Sequence, residues 1–185
     1  ALFTVDEEAG MGGARGLAPG ELRGRLLLNL DTEDWGEFYL GCAGGIDVAV
    51  SRPWQPEALP AGYVVRRIAL TGLRGGHSGV EIHEERGNAL KLLVRLIHDL
   101  APTLGLRLAE LTGGTARNAL PREAFATVAL AADQATALDE QLNRWQAALA
   151  EELAGTGDQP ALAAHPAEAA EAATVMAEAD QQAWL

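Results

Sequence analysis

The sequence predicts an α/β protein: part of a parallel-stranded domain in residues 1–50, followed in residues 51–185 by an α+β domain whose helices cover one face of a small antiparallel sheet. Two unbroken apolar runs near the start are typical of strands buried on both faces of a parallel sheet. Further along, the patterns follow the order strand, helix, strand, strand, helix, which favours an antiparallel sheet with helices on one side. A glycine-rich stretch at residues 41–45 and a turn-rich stretch at residues 53–62 separate the two parts.

Acidic residues follow each of the two apolar runs. Residues 1–5 precede Glu7 and Glu8, and residues 26–30 precede Asp31. About twenty residues join the runs, enough for the crossover that parallel strands need. Because the carboxyl ends of parallel strands meet at one edge of a sheet, we expect these three carboxylates to converge, with a divalent cation between them to offset their repulsion. Two alternatives stay open: the adjacent glutamates as a solvated turn, and the aspartate as a helix cap.

The second part of the sequence alternates between strand-like and helical patterns. Strands are expected where β-branched and apolar residues dominate, and helices where apolar residues recur at steps of three and four. The predicted elements are, in order, a strand at residues 63–71, a helix at 88–100, strands at 104–111 and 122–131, and a helix carrying the apolar stripe of residues 138–153. The alanine-rich segment at residues 166–185 is expected to be helical with no strand after it, so the predicted domain is incomplete.

Two polar segments of the second part could contribute to a functional site. Glycines flank His77 in the segment at residues 75–79, and they allow the backbone angles that present an imidazole from a loop. A neutral histidine there could donate a hydrogen bond to a carbonyl or a developing oxyanion, although a histidine bonded to the backbone is the simpler alternative. A later turn carries Arg117, Asn118 and Arg122, which could hold a substrate carboxylate or could be solvated.

The composition limits the partners and the compartment. A net charge of −12 and a pI of about 4.7 disfavour nucleic acid and anionic membranes as partners, because both would repel the chain. No apolar run approaches the roughly 18 residues of a membrane span. Cys42 is the only cysteine, which favours a reducing compartment, and we expect the cytoplasm. Residues 1–5 lack an initiator methionine and have the pattern of a strand interior, so we expect a piece of a longer chain.

Four strings, in this order along the chain, resemble the bacterial aminoacyl-histidine dipeptidases, members of the two-metal peptidase family that includes aminoacylases and carboxypeptidase G. The strings are Glu7-Glu8-Ala9-Gly10-Met11, Gly41-Cys42-Ala43-Gly44-Gly45-Ile46-Asp47, Gly75-Gly76-His77-Ser78-Gly79 and Arg117-Asn118-Ala119-Leu120-Pro121-Arg122-Glu123-Ala124. The resemblance runs from residue 1 to about residue 153. It implies an internal fragment, in which residues 1–50 are part of a catalytic, metal-binding domain and residues 51–185 are an incomplete lid and dimerisation domain.

The resemblance also implies a role for each candidate residue. His77 corresponds to a lid histidine that, in dimeric members, reaches into the partner's active site and helps to polarise the scissile carbonyl. The other implied roles are general base for Glu7, ligands of the two metal ions for Glu8 and Asp31, and substrate contacts for Asn118 and Arg122. The implied partners are a small peptide substrate and a second copy of the chain, in a homodimer formed through the lid.

The implied reaction is the hydrolysis of Xaa-His dipeptides by a metal-activated water with a glutamate general base. The implied cofactors are two divalent metal ions, most often zinc, with manganese or cobalt as substitutes. The family also uses an upstream His-x-Asp pair, which this sequence lacks. Because Glu8 and Asp31 alone would hold zinc weakly, we expect the isolated chain to be inactive. The alternative is a lid-like dimerisation module without catalysis.

Overall fold

A computed structural model describes residues 2–7, 10–30, 34–42, 44, 46 and 48–185 of the chain. The chain divides into two compact units, Ala1–Ala49 and Val50–Leu185, and each is described by itself below. The assignment of these parts to a catalytic domain and a lid domain stays a prediction.

Among its described residues, the first unit forms a single helical turn, α1 (Gly12–Arg15), and no strand. The two strands predicted at residues 1–5 and 26–30 are therefore not formed among the residues that the structure describes. Phe3 is 90% exposed and Leu26 is 89% exposed, so these apolar runs are not buried on either face. The physical reason is that a strand needs hydrogen-bonded neighbours, and a parallel one also needs helices on both faces.

The second unit contains all the strands and the longer helices of the described residues. Its strands are β1 (Pro56–Ala58), β2 (Tyr63–Thr71), β3 (Gly76–His77), β4 (Arg107–Gly113), β5 (Ala119–Leu120), β6 (Ala124–Ala131), β7 (Ala161–Ala167) and β8 (Thr174–Met176). Its α-helices are α2 (Ala89–Leu104), α3 (Ala135–Glu152) and α4 (Glu178–Trp184), and 3₁₀ turns span Ile82–Glu84, Ala132–Gln134 and Ala169–Ala172.

The main sheet is antiparallel and has the strand order β4-β6-β2-β7. Two short antiparallel ribbons accompany it, one made of β1 and β8 and the other of β3 and β5. The predicted small antiparallel sheet with helices is thus confirmed. The strand predicted at residues 63–71 forms with those bounds and lies inside the sheet, bonded to β6 on one side and β7 on the other.

The core lies between one face of this sheet and the helices α2 and α3. Side chains on that face of β2 and β6 include Ile68, Leu70, Val128 and Leu130, all fully buried. The predicted apolar stripe of the first helix is buried along its whole length, and so is that of the second apart from a partly exposed tryptophan; the stripes are Ala89, Leu93, Leu96, Ile97 and Leu100, and Leu138, Leu142, Trp145, Leu149 and Leu153. Their spacing places each set on one side of a helix, which is why the sequence predicted them correctly.

Helix α2 begins and ends at recognisable capping residues. The Asn88 side chain accepts a hydrogen bond from the Lys91 backbone N–H, 3.1 Å away, which stabilises the first turn. Gly105 ends the helix with a φ of 61°, a backbone angle that glycine adopts without steric cost. The helix therefore continues to Leu104, and the strand predicted at residues 104–111 begins later, at Arg107.

Residues 161–167 form a strand that the sequence did not predict. Strand β7 pairs along β2, with Ala163 opposite Ala69, and its side chains Leu162 and Ala164 pack against the core. A 3₁₀ turn, β8 and α4 follow, so the continuous helix predicted at residues 166–185 is wrong. The incompleteness of the predicted domain stays a prediction. Alanine favours helices locally, but the open edge of β2 offers a row of backbone hydrogen bonds that outweighs this preference.

The end of the chain covers part of the second face of the sheet. Val65 and Ala129 point away from the helices and are buried, as are Ala172 and Val175 of the C-terminal segment. The buried side chain of Gln181 on α4 accepts from the Leu108 N–H at 2.7 Å and donates to the Leu106 carbonyl at 2.8 Å. Helices α2 and α3 thus cover one face of the sheet, as predicted, and the C-terminal segment covers part of the other.

Candidate functional site

The ribbon of β3 and β5 joins two of the segments that the sequence singled out. His77 lies opposite Ala119 in this ribbon, and the Ser78 N–H donates to the Asn118 carbonyl at 2.8 Å. The glycine-flanked histidine and the turn carrying Asn118 are therefore neighbours, although some forty residues of chain separate them. Backbone pairing fixes their relative position.

Both glycines before the histidine are required by what surrounds them. Gly75 has a φ of +66°, and a Cβ atom there would lie 2.3 Å from the Arg122 side chain. Gly76 has a φ of +150°, and a Cβ atom there would lie 2.6 Å from the guanidinium of Arg86. Any other residue would displace these arginines, so the glycines let the side chains of Arg122 and Arg86 approach the backbone directly before His77.

The imidazole of His77 is held in one tautomer by the backbone that follows it. Its Nδ1 atom accepts hydrogen bonds from the N–H groups of Gly79 and Val80, each at 3.1 Å. In the neutral ring the proton is therefore on Nε2, since Nδ1 is occupied as an acceptor. The side chain is exposed, so the Nε2–H group can donate a hydrogen bond to a ligand.

An ion pair inside the loop fixes the backbone around the histidine. The carboxylate of Glu81 accepts the His77 N–H at 2.7 Å, and its second oxygen lies 2.6 Å from Arg86 Nη2. Arg86, whose side chain is only 7% exposed, also donates to the Gly75 carbonyl at 2.7 Å. The pKa of the Glu81 carboxyl lies below its usual range, first because of the His77 N–H bond and then because of Arg86. Sequence analysis missed this pair, and a Glu and an Arg five residues apart gave no distinctive signal.

Three of the predicted site residues line one cavity. His77, Asn118 and Arg122 lie around a partly open cavity of about 450 Å³, together with Arg74 and Glu123. Arg74 was not predicted, although its place directly before the glycine pair was a usable signal. The cavity offers an imidazole N–H, a side-chain amide and two guanidinium groups, a set suited to carbonyl and carboxylate oxygens.

The metal-site residues are described only in part. Glu7 lies in a turn of the first unit and is exposed, whereas Glu8 and Asp31 lie outside the described residues. Within the described part of the chain, no group of three or more His, Cys, Asp or Glu side chains could hold a metal ion. The convergence of Glu7, Glu8 and Asp31 therefore stays a prediction.

A family model matches part of the second unit. Residues 68–157, which contain most of the main sheet, the segment that carries His77 and both long helices, match the family model described as the peptidase dimerisation domain. A small antiparallel sheet with two helices on one face is the fold of this region, as the sequence predicted.

Two dipeptidases are similar to the chain over most of its length. It is 52% identical to the cytosol non-specific dipeptidase of Escherichia coli over 153 residues, which are 83% of this chain and 32% of that protein. The solved structure of an aminoacylhistidine dipeptidase from Vibrio alginolyticus matches with 45% identity and a TM-score of 0.76, covering 98% of this chain and 36% of that one. The chain spans about a third of the length of these relatives. The resemblance to aminoacyl-histidine dipeptidases is confirmed: the chain is similar to part of these two dipeptidases, and residues 68–157 match a peptidase dimerisation domain.

The lengths and polarity of the helices show whether any of them could span a membrane. Among the described residues, every helix is too short or too polar to cross a bilayer.

Proposed function

We propose that a protein containing this chain is a two-metal dipeptidase that hydrolyses Xaa-His dipeptides, with the second unit as its substrate-contacting lid. The observation that carries the proposal is the cavity shared by His77, Asn118 and Arg122, with the imidazole fixed as an Nε2–H donor. Similarity to two proteins named as dipeptidases supports the same reaction class.

His77 is proposed to bind the oxygen of the scissile carbonyl. The Nε2–H group donates a hydrogen bond to this oxygen, and the hydrogen bond becomes stronger as negative charge develops on the oxygen. A preoriented donor contributes most when it does not reorganise during the reaction, and the bonds from Gly79 and Val80 to Nδ1 keep the ring fixed. Arg122 and Asn118 are proposed to hold the substrate, the arginine by charge-assisted bonds to a carboxylate.

The first unit is proposed to supply a general base and part of the metal site. Glu7 would take the proton from the attacking water and pass it to the leaving amine, and Glu8 and Asp31 would each bind one of two divalent ions, zinc in the first instance, with manganese or cobalt as substitutes. Such ions lower the pKa of a bound water and polarise a carbonyl. The sequence contains no His-x-Asp pair, so we propose that further ligands come from another part of the protein and that the isolated chain is inactive.

The test is made on the full-length protein that contains this chain, purified with zinc and supplied with Ala-His. Replacing His77 with alanine is expected to lower kcat by about 10²- to 10³-fold, the usual cost of losing one oxyanion donor, with bound metal unchanged. His98→Ala is the matched control, because that side chain is exposed on α2 and lies outside the cavity. Equal turnover in the two variants would remove His77 from the site.

Two further variants separate the remaining roles. Glu7→Gln is expected to abolish turnover while zinc stays bound, whereas loss of zinc would show that Glu7 is a ligand instead. The 185-residue chain itself is expected to hydrolyse Ala-His no faster than zinc alone. Activity above that blank would contradict the proposed division of the metal site.

A second candidate function is a dimerisation module, favoured by the family description of residues 68–157. We propose that residues 51–185 form a homodimer, which is compatible with the dipeptidase because the partner's lid could then complete the site. Sedimentation equilibrium of the chain at micromolar concentrations is expected to give twice the monomer mass of 19.4 kDa. A monomer at all concentrations would contradict the proposed homodimer, and only the lid role would then remain. We also propose a cytoplasmic location, which the single cysteine and the name of the Escherichia coli relative support.

A further inference from the structure

One carboxylate holds both ends of the loop that carries His77. Asp158 Oδ1 accepts the N–H of Arg74 at 2.6 Å, and Asp158 Oδ2 accepts the N–H of Gly87 at 2.8 Å. These two residues directly precede and directly follow residues 75–86, which we call the His77 loop. The two ends of the loop are therefore tied to the same side chain, more than seventy residues later in the sequence.

We propose that Asp158 is a positioning residue that closes the His77 loop and so sets where the imidazole stands in the cavity. The proposal rests on the proposed function of His77. Asp158 does not line the cavity and touches no reacting group, so its effect on catalysis would be exerted through the loop.

The turn that carries Asp158 is shaped to reach the loop. Gly157 has a φ of +80°, and a Cβ atom there would lie 2.9 Å from the Arg74 side chain. The Arg74 guanidinium donates to the Thr156 carbonyl at 3.0 Å, and the Gln159 N–H donates to the Gly72 carbonyl at 3.0 Å. The backbone of this turn is thus docked against the end of β2, which aims the carboxylate at the loop.

An ionised carboxylate is the form that best satisfies both loop ends, because each of its oxygens is a strong acceptor. Each oxygen accepts from a different N–H group, and the Thr156 hydroxyl lies 2.7 Å from Oδ2. Gly87 is buried against the side chains of Leu73 and Leu153, so water would not easily replace a lost partner for its N–H. Partial burial raises the pKa of the Asp158 carboxyl, but the bonds from Gly87, Arg74 and Thr156 outweigh this and hold it below its usual range.

Different interactions hold the interior of the His77 loop and its two ends. The ion pair of Glu81 and Arg86 fixes the conformation inside the loop, whereas Asp158 fixes the distance between the ends. Loosening the ends would let the loop move as a unit with that ion pair intact. Because an error of about 1 Å in a reacting group can cost roughly 10²-fold in rate, such movement would be visible in turnover.

The first experiment measures amide hydrogen exchange in the 185-residue chain. Asp158→Asn keeps the shape but replaces one acceptor oxygen with an NH₂ group that faces a backbone N–H. Exchange at the His77 loop is expected to become at least about tenfold faster, while amides of β2 and β6 keep their protection. Asp139→Asn, at an exposed position of α3, is the control and should leave the loop unchanged. Unchanged loop exchange in Asp158→Asn would overturn the proposal, and so would equal acceleration in loop and sheet, which would mean a global effect.

A milder variant covers the case in which Asp158→Asn does not fold. Asp158→Glu keeps the charge but adds a methylene, so both bonds cannot form with the backbone in its present place. Faster exchange confined to the loop supports the proposal. Wild-type exchange in this variant, or acceleration spread over the sheet, contradicts it.

The second experiment is a double-mutant cycle in the full-length protein, assayed with Ala-His. Asp158→Asn is expected to lower kcat roughly 10- to 100-fold with bound zinc unchanged, and to have little further effect once His77 is alanine, because both changes remove the same donor from its place. Effects that multiply independently would overturn the proposal while leaving the role of His77 intact. If His77→Ala alone leaves turnover unchanged, the proposed function of His77 fails, and the hydrogen-exchange result still decides whether Asp158 closes the loop.

Discussion

The two units of this chain contain similar apolar runs but place them in different environments. Residues 26–30 and strand β2 are both rich in large aliphatic side chains, yet Leu26 is 89% exposed and Ile68 is fully buried. Strand β2 has a hydrogen-bonded neighbour on each side and a helix layer on one face. The described residues of the first unit have no such neighbours. Apolar composition makes a strand possible, and pairing partners make it form.

The largest expected difference between the units is the cost of deleting the same side chain in each. Leu93→Ala removes a fully buried leucine from α2 and is expected to lower the free energy of unfolding by about 2–5 kcal/mol. Leu28→Ala removes a leucine that is 82% exposed and should change it by less than about 0.5 kcal/mol. Urea unfolding followed by circular dichroism measures both. Similar costs for the two variants would show that residues 26–30 are packed after all.

A second contrast uses glycine. Gly72, at the end of β2, has a φ of +81°, and a Cβ atom there would lie 2.1 Å from the Gln159 carbonyl oxygen. Gly72→Ala is expected to destabilise the second unit by about 1–3 kcal/mol, because the backbone must shift to relieve this contact. Gly44→Ala, where no atom lies within 4 Å of the added carbon, is the control in the first unit. A thermal unfolding midpoint that falls equally in both variants would contradict the structure.

The C-terminal segment can be tested through its buried amide. Gln181→Ala leaves the Leu108 N–H and the Leu106 carbonyl without their side-chain partner and is expected to cost about 1–3 kcal/mol. Gln182→Ala, one position further along α4 and exposed, should be close to neutral. If both variants unfold at the wild-type urea concentration, α4 does not cap the edge of β4.

The smallest expected effect is a dependence of stability on pH that belongs to the second unit. The pKa of Asp158 is lower in the folded chain than in the unfolded chain, so its stabilising contribution is complete above the unfolded pKa of about 4 and is lost as the pH falls through the folded pKa. The difference in unfolding free energy between the wild type and Asp158→Asn should therefore be constant near neutral pH and shrink below about pH 4. A difference that grows on acidification would contradict this assignment.

Much of the second unit was predictable because its signals are local. The apolar stripe that includes Leu93 recurs within a few turns of chain, and it predicted α2 with a start one residue from the observed one. The end of α2 and the start of β4 were predicted several residues wrongly, because Gly105 rather than the apolar pattern ends the helix. Strand β7 was missed because its alanines carry no strand signal of their own.

The candidate site was predictable in its parts but not in its assembly. The glycines around His77 and the turn containing Asn118 and Arg122 were recognised from short motifs and from resemblance. The closing of the loop by Asp158 gave no signal, because an aspartate after glycine is a common turn residue and its partners are far away in sequence.

The sequence by itself determined where α2, α3 and β2 lie and which family the motifs resemble, because side-chain periodicity and short motifs depend only on residues that are close together in the chain. Only the tertiary structure decided that residues 161–167 form an edge strand, that His77 and Asn118 share a cavity, and that one carboxylate holds both ends of a loop. These features depend on hydrogen bonds between residues distant in sequence, and such bonds form only when packing brings their partners together.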